Sequence, residues 1–324
     1  MYRMIVEKLD GPESLKREES PEPIPATGEV AIAVKAIGCN FFDTLITRGR
    51  YQLRPELPFA PGAEVSGIVT AVASDVRGFQ VGDRVGALLD YGGYASSLTA
   101  PIDRVFPIPQ NMSFDEAAAI GLVYQTSHMG LVHRAGLEKG ETLLVHAAAG
   151  GVGLAAVQIG AALGATVIGT AGSDDKVELI KANGADYAIN YQSEDWLAEV
   201  QRITGGRGVD VVYDPVGGET FELSTKCIRF EGRLLVIGFA GGSIPTIALN
   251  RVLLKNISVV GLHWGLYFKE DPAQIRKTQM AVFELYREGK LKPVVAHAYA
   301  LSDASEALAA LETRKTVGKV VLHP

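Results

Sequence analysis

Within His146–Ile159, HAAAGGVGLAAVQI, the residues Ala148, Gly150, Gly151 and Gly153 leave a length of main chain almost without side chains. Backbone N–H groups bared in this way can approach a phosphate directly, and a helix starting there adds the partial positive charge of its N-terminus. The flanking pattern supplies that helix. TLLVHA (Thr142–Ala147) is a branched apolar run, Val152, Ala155, Ala156, Ile159 and Leu163 then recur at three- and four-residue steps, and TVIGTA (Thr166–Ala171) is branched again. Strand, glycine turn, helix and strand within about 30 residues form the setting of a dinucleotide fingerprint. Against G-x-G-x-x-G the first glycine is replaced by Ala148; Gly150 gives the pyrophosphate access and Gly153 lets helix and strand pack closely. Ala149, Gly150, Gly151, Val152 and Gly153 are the expected cofactor-binding residues, the alternative being a turn that merely ends a strand.

The end of the second strand selects the dinucleotide. A carboxylate there would accept hydrogen bonds from a ribose 2′-hydroxyl of NAD. GTAGS (Gly169–Ser173) has none, Lys176 follows within reach, and Tyr191 closes the third strand. Gly172, Ser173, Lys176 and Tyr191 therefore suit a 2′-phosphate, and NADPH is the expected cofactor. Asp174 and Asp175 argue for NADH unless they serve only as N-terminal acids of the next helix.

These residues need a scaffold, and a chain of 324 residues is long enough for two domains. Its first ~110 residues are short alternating runs such as EVAIAVKAIG (Glu29–Gly38) and VSGIVTAVA (Val65–Ala73), which read as antiparallel β structure. From Asp115 the spacing turns helical, over DEAAAIGLVYQTSHMGLVHRAG. Six strand candidates follow, mostly separated by helices: Thr142–Ala147, Thr166–Ala171, Tyr187–Asn190, Val209–Pro215, Arg233–Phe239 and Ile257–Leu262. They predict an α/β fold with a doubly wound parallel sheet. A helix with Ile275, Met280, Val282, Phe283 and Tyr286 as its apolar positions comes next, then a strand near Val294, a second helix and a last strand, GKVVLH.

Composition narrows the partners. A net charge of -6 offers nothing to nucleic acid or anionic lipid, so neither is expected as a partner. Two cysteines, Cys39 and Cys227, are too few for a disulfide framework and read as small core residues of a reducing compartment. The first residues, MYRMIVEKLD, carry charges where a signal peptide needs an apolar core, and no apolar run reaches the ~18 residues of a membrane span, so a cytoplasmic location is expected.

The chain resembles the zinc-independent quinone oxidoreductases (zeta-crystallin type) of the medium-chain dehydrogenase/reductase superfamily. The resemblance rests on GCNFFDTLITRGRYQ (Gly38–Gln52), PFAPGAEVSGIV (Pro58–Val69), VGDRV (Val81–Val85), HAAAGGVGLAAVQI, GAD..INY (Gly184–Tyr191), YDPVGG (Tyr213–Gly218) and VGKVVL (Val317–Leu322). It implies a GroES-like β-rich catalytic domain and a Rossmann domain: residues 1–122 as the first, 123–265 as the NADPH-binding Rossmann domain, and 266–324 returning to the first.

The superfamily also contains zinc alcohol dehydrogenases, in whose pattern a cysteine ligand falls at Asn40 and a histidine ligand at Ala63. Alanine cannot hold a metal, and no four-cysteine lobe is present, so neither zinc site can be assembled and no metal is expected. A metal-free site suits an electron-poor acceptor that takes hydride readily, a quinone or an enone. The resemblance implies that Asn40 and Tyr51 line the cleft, their amide and phenol holding the acceptor oxygen or the nicotinamide. Spacing alone favours a turn-capping asparagine and a half-buried core tyrosine, and the resemblance reverses that preference.

Tyr124 and Thr126 match the segment touching the nicotinamide ribose and carboxamide, or else pack a helix. Gly238, Phe239 and Ala240, and Leu262, His263 and Trp264, follow the fifth and sixth strands at the carboxyl ends where ligands bind. Phe41 and Trp264 are candidate aromatic walls, Lys319 a weaker cofactor contact, and Asp43 a helix-start acid. His128 stands where the family more often has an aromatic, and its role is open. The implied function is NADPH-dependent reduction of a quinone or activated alkene. An enoyl-thioester reductase is the enzyme alternative, and an NADPH-binding crystallin-like or binding protein the other. The apolar last strand, ISVVGL, invites pairing with a second copy into a homodimer.

Overall fold

The computed structural model describes residues 1–324. Along the chain the strands are β1 (Tyr2–Val6), β2 (Leu15–Glu19), β3 (Glu29–Cys39), β4 (Glu64–Val72), β5 (Arg84–Leu88), β6 (Ser97–Pro101), β7 (Val105–Pro107), β8 (Thr142–Val145), β9 (Thr166–Ala171), β10 (Tyr187–Asn190), β11 (Val209–Asp214), β12 (Ile228–Val236), β13 (Ser258–Gly261), β14 (Val295–Ala300) and β15 (Lys319–His323). They fall into two compact units, the first made of Met1–Leu122 with Pro293–Pro324 and the second of Val123–Lys292.

In the second unit six parallel strands lie in the order β10-β9-β8-β11-β12-β13. Intervening helices are Gly151–Leu163, Asp174–Ala182, Trp196–Ile203, Gly218–Cys227 and Leu249–Lys255. Strands covered on both faces need side chains that bury on both, hence the unbroken branched runs; β8 and β11 are buried at every residue. Leu144, Ile168, Val212 and Leu234 belong to the core between sheet and helices. The strand order reverses beside β8, so the turn after β8 opens at the switch point where open α/β sheets bind ligands.

The first unit is a seven-stranded sheet in the order β14-β15-β3-β4-β5-β7, with β6 also on β3, plus the β1-β2 pair. Its long central strands alternate inward Val, Ile and Ala residues, and Val30, Ile32, Ile37, Val65 and Val85 form the core. The chain's end completes this sheet: β15 lies antiparallel to β3, with Val320 opposite Cys39.

The return of the chain to the first unit comes at Pro293, later than the expected residue 266. The helix Pro272–Arg287 stays in the second unit, where its buried Gln279 accepts a 2.7 Å hydrogen bond from Gln125. Ile275, Val282 and Phe283 of that helix are buried, whereas Met280 is exposed. The helix expected over residues 115–136 is α-helical only over Phe114–His128 and continues as a wider π-turn, Met129–Arg134, with Ala135 N–H bonded to the Gly130 carbonyl at 2.8 Å. Strand β12 starts at Ile228, ahead of the expected Arg233. No helix is long and apolar enough to cross a membrane.

Candidate active site

The glycine turn sits at the carboxyl end of β8. Gly150 is the N-cap of Gly151–Leu163, and no side chain caps that end, so the N–H groups of the first turn stay open to a ligand. Ala147 takes a left-handed backbone (φ 48°), and the Gly150 N–H returns to its carbonyl at 3.0 Å. A Cβ on Gly153 would lie 2.7 Å from Ala148 Cα and 2.9 Å from the Ala147 carbonyl carbon, so only glycine lets the helix come this close. Ser127 holds the turn from behind, donating to the Val152 carbonyl at 2.9 Å and lying 2.8 Å from the Tyr213 hydroxyl.

The ends of β9 and β10 bring Gly172, Ser173, Lys176 and Tyr191 together. Tyr191 N–H bonds to the Ala171 carbonyl at 3.0 Å, and a Cβ on Gly172 would lie 2.7 Å from the Tyr191 hydroxyl. Ser173 is the N-cap of Asp174–Ala182, the helix that carries Lys176. The neighbouring Asp174 carboxylate is already engaged, accepting from Asn190 Nδ2 at 2.7 Å.

Gly238, Phe239 and Ala240 follow β12, tied down by the Ala240 N–H to the Pro215 carbonyl at 3.0 Å. Beyond β13, Leu262 N–H reaches the Val236 carbonyl at 3.2 Å, His263 leads into a short helical turn, and Trp264 donates to Gln125 Oε1 at 3.1 Å while its ring packs edge-on against Phe268. The buried Tyr124 hydroxyl donates to Gln158 Oε1 at 2.9 Å and fastens two helices of the second unit, the packing role weighed as its alternative. Two residues further on, Thr126 is buried with a hydroxyl that bonds to no protein group. His128 Nδ1 is buried without a partner, and burial lowers its pKa to about 4, keeping the ring neutral at pH 7.

In the first unit, Asn40 caps the helix Phe41–Ile46, and its own N–H bonds to Asp43 Oδ2 at 2.8 Å. Its side chain is turned inward and fully engaged. Nδ2 donates to Glu64 Oε1 at 2.9 Å and to the Gly38 carbonyl at 3.3 Å, and Oδ1 accepts from Lys319 Nζ at 2.7 Å. Asn40 is thus a framework group and not an open donor for substrate. Lys319 is corrected in the same way: its buried ammonium bonds to Asn40, Glu64 and the Cys39 carbonyl, leaving it no proton for a cofactor.

Tyr51 remains open. It is half-buried, its ring packs on Phe42 at 5.3 Å, and its hydroxyl has no hydrogen-bond partner in the protein. Burial first, and the Asp43 charge second, raise its pKa, so it stays a donor at neutral pH. Asp43 itself is more than a helix-start acid. Fully buried, it also accepts from the Gly62 N–H at 3.2 Å and the Tyr94 hydroxyl at 3.3 Å, and burial pushes its pKa up to about 7 despite those bonds and the nearby Lys319. Phe41 is partly exposed; Cys39 and Cys227 are buried free thiols, each pushed up to about 12 by burial.

Sequence reasoning passed over three supports. His146 lies 3.1 Å from Thr170 Oγ1 and 2.9 Å from Ser224 Oγ, joining β8 to its neighbours, and burial drops its pKa to about 3. Asp214 Oδ1 accepts from the N–H groups of Val216 and Gly217 at 2.8 and 3.0 Å and so shapes the turn after β11. Ser127 is the third. A polar residue in or just after an apolar strand was the available signal for His146 and Asp214; Ser127, inside the polar run QTSH, had none.

Comparison with known proteins gives concordant matches. Residues 151–279 match a family model described as zinc-binding dehydrogenase, and residues 26–110 one described as alcohol dehydrogenase GroES-like domain. The chain is 40% identical over 326 residues to the quinone oxidoreductase-like protein 2 homolog of Nematostella vectensis, covering 99% of this chain and 89% of that protein. Escherichia coli quinone oxidoreductase, solved in complex with NADPH, superposes with a TM-score of 0.92 at 36% identity over all of both chains. CurK enoyl reductase superposes with a TM-score of 0.90 at 30% identity, over 99% and 98% of the two chains.

Proposed function

Because the chain belongs to the quinone oxidoreductase family of the medium-chain dehydrogenase/reductase superfamily, we propose that it is a zinc-independent, NADPH-dependent reductase of quinones and activated alkenes. The observation that carries this reading is the uncapped glycine turn at the switch point, beside the stretch Gly169–Ser173, which holds no carboxylate, and the following helix, which carries Lys176 after Asp174 and Asp175 in its first turn. Residues 149–153 would hold the pyrophosphate, and Ser173, Lys176 and Tyr191 the 2′-phosphate. Thr126, Gly238–Ala240 and Leu262–Trp264 are the further contacts in this reading. NADPH, when bound, supplies the hydride. The Tyr51 hydroxyl, protonated and unpartnered, donates to the oxygen on which negative charge grows.

Zinc does not fit this chain. Ala63 has no donor, the Asn40 amide is engaged on all sides, and no three His, Cys, Asp or Glu side chains converge as a ligand set. Activation then falls to an acceptor already poor in electrons. Steady NADPH oxidation with phenanthrenequinone or benzoquinone, and none with crotonyl thioesters, is expected. The reverse pattern would favour an enoyl-thioester reductase, the reading that the likeness to CurK enoyl reductase supports. No oxidation with any acceptor would favour a nucleotide-binding protein without turnover.

Replacing Lys176 with alanine is expected to raise the Kd for NADPH by roughly 10- to 100-fold, the worth of one charge-assisted contact, with NADH unchanged. Equal weakening of both, measured by calorimetry, would remove Lys176 from this role.

The same reading includes a homodimer. Strand β13 is the edge of its sheet, with Val259 exposed, and the helix before it leaves Leu249, Leu253 and Leu254 at 78%, 74% and 77% exposure. An apolar edge of this kind favours a second copy. Light scattering coupled to size exclusion should give a dimer for the native chain and a folded monomer for Leu253→Glu with Val259→Lys; a native monomer at micromolar concentration would refute it. The cytoplasmic placement rests on the two free, buried thiols.

A further inference from the structure

The first unit contains a buried ionic cluster that the proposed hydride transfer does not use. The ammonium of Lys319, 3% exposed, donates to the Cys39 carbonyl at 2.8 Å, to Asn40 Oδ1 at 2.7 Å and to Glu64 Oε1. Glu64, 1% exposed, also accepts from Asn40 Nδ2 on that oxygen and from the Leu122 N–H at 2.9 Å on the other. Gly38 keeps this seat clear, since a Cβ there would fall 2.6 Å from Glu64 Oε1. Three oxygens, from main chain, amide and carboxylate, therefore converge on one cation and match its three protons one to one. A carboxylate at this depth cannot stand alone without a large desolvation cost.

We infer that the Cys39 carbonyl, Asn40 and Glu64 form a cation-binding site, filled in this chain by its own tethered ammonium, and that Lys319 is thereby the positioning residue of the catalytic face. The site lies where β3 ends and the helix Phe41–Ile46 begins, and the cation fixes both. Asn40 is held by its side chain, and its N–H in turn holds Asp43, whose charge acts on the Tyr51 phenol. This positioning role rests on the reductase reading above; the cation site does not.

Lys319→Ala empties the site without adding a donor. Its Tm should fall by roughly 10 °C. About half of that loss should return when ethylammonium chloride replaces sodium chloride at equal ionic strength, with no such gain in the native protein or in Lys319→Ala with Glu64→Gln. A Lys319→Ala protein indifferent to ethylammonium, or an equal response in all three, would overturn the inference. If Lys319→Ala does not fold, the neutral pair Glu64→Gln with Lys319→Met should melt well above Lys319→Met alone, and equal destabilisation of the two would overturn it. For the reaction, Lys319→Ala should lower kcat with benzoquinone while the KM for NADPH holds, ethylammonium should restore kcat, and Lys319→Arg should retain most of it. A KM loss in step with kcat, or no rescue, would leave Lys319 without a positioning role. Should the native protein oxidise NADPH with no acceptor, the reductase reading fails while the melting experiment still decides the cation site.

Discussion

Valine in place of Gly153 is expected to abolish measurable NADPH binding. The new Cβ would start 2.7 Å from Ala148 Cα and 2.9 Å from the Ala147 carbonyl carbon, main-chain atoms that cannot swing aside as a side chain could. Relief must come from moving the helix Gly151–Leu163 off β8 or from reshaping the turn itself. Either change carries the uncapped N–H groups away from the pyrophosphate, and losing two charge-assisted hydrogen bonds weakens binding by about 100-fold or more. Overpacking at this contact should also cost about 3 kcal/mol. Calorimetric titration with NADPH, alongside a thermal melt, checks both. Near-native affinity in the valine variant would mean that the nucleotide does not sit on this turn.

Tyr51→Phe should lower kcat with a quinone acceptor by roughly 100-fold, the usual cost of removing one donor to a developing oxyanion. The NADPH dissociation constant should hold, because the phenol is assigned to the acceptor oxygen and not to the nucleotide. The substitution removes a single oxygen, keeps the ring on Phe42, and breaks no hydrogen bond within the protein, so stability should be little changed. Single-turnover oxidation of bound NADPH reads the chemical step directly. An unchanged rate would return Tyr51 to the role of a core residue that happens to be half-exposed.

The parallel sheet was legible because its information is local. Strands β8, β9 and β11 are branched runs buried on both faces, and β9 and β10 match their expected limits residue for residue. The glycine turn was legible for the same reason: its chemistry is written in consecutive residues. Lys319 was not, since a lysine in VGKVVL has the local look of a solvated side chain. Its burial comes from β15 joining β3, which brings residue 319 to residues 39, 40 and 64 across most of the chain. Asn40 misled in a similar way, since a residue type suited to hydrogen-bonding a substrate suits an internal cluster equally well. The late return of the chain at Pro293 goes with the burial of Ile275, Val282 and Phe283 on the helix Pro272–Arg287 and with its Gln125–Gln279 bond, a long-range pairing that periodicity cannot foresee. Tyr124 follows the same logic, its hydroxyl answered by Gln158 on a helix more than thirty residues away.

The central claim is metal-free reduction by NADPH. It is tested most directly by following NADPH oxidation with benzoquinone before and after exhaustive chelation, with metal content measured on the same samples. Unchanged turnover in protein carrying no stoichiometric zinc is the predicted result. Turnover that disappears on chelation and returns with added zinc, or that is absent from the untreated protein, would contradict it.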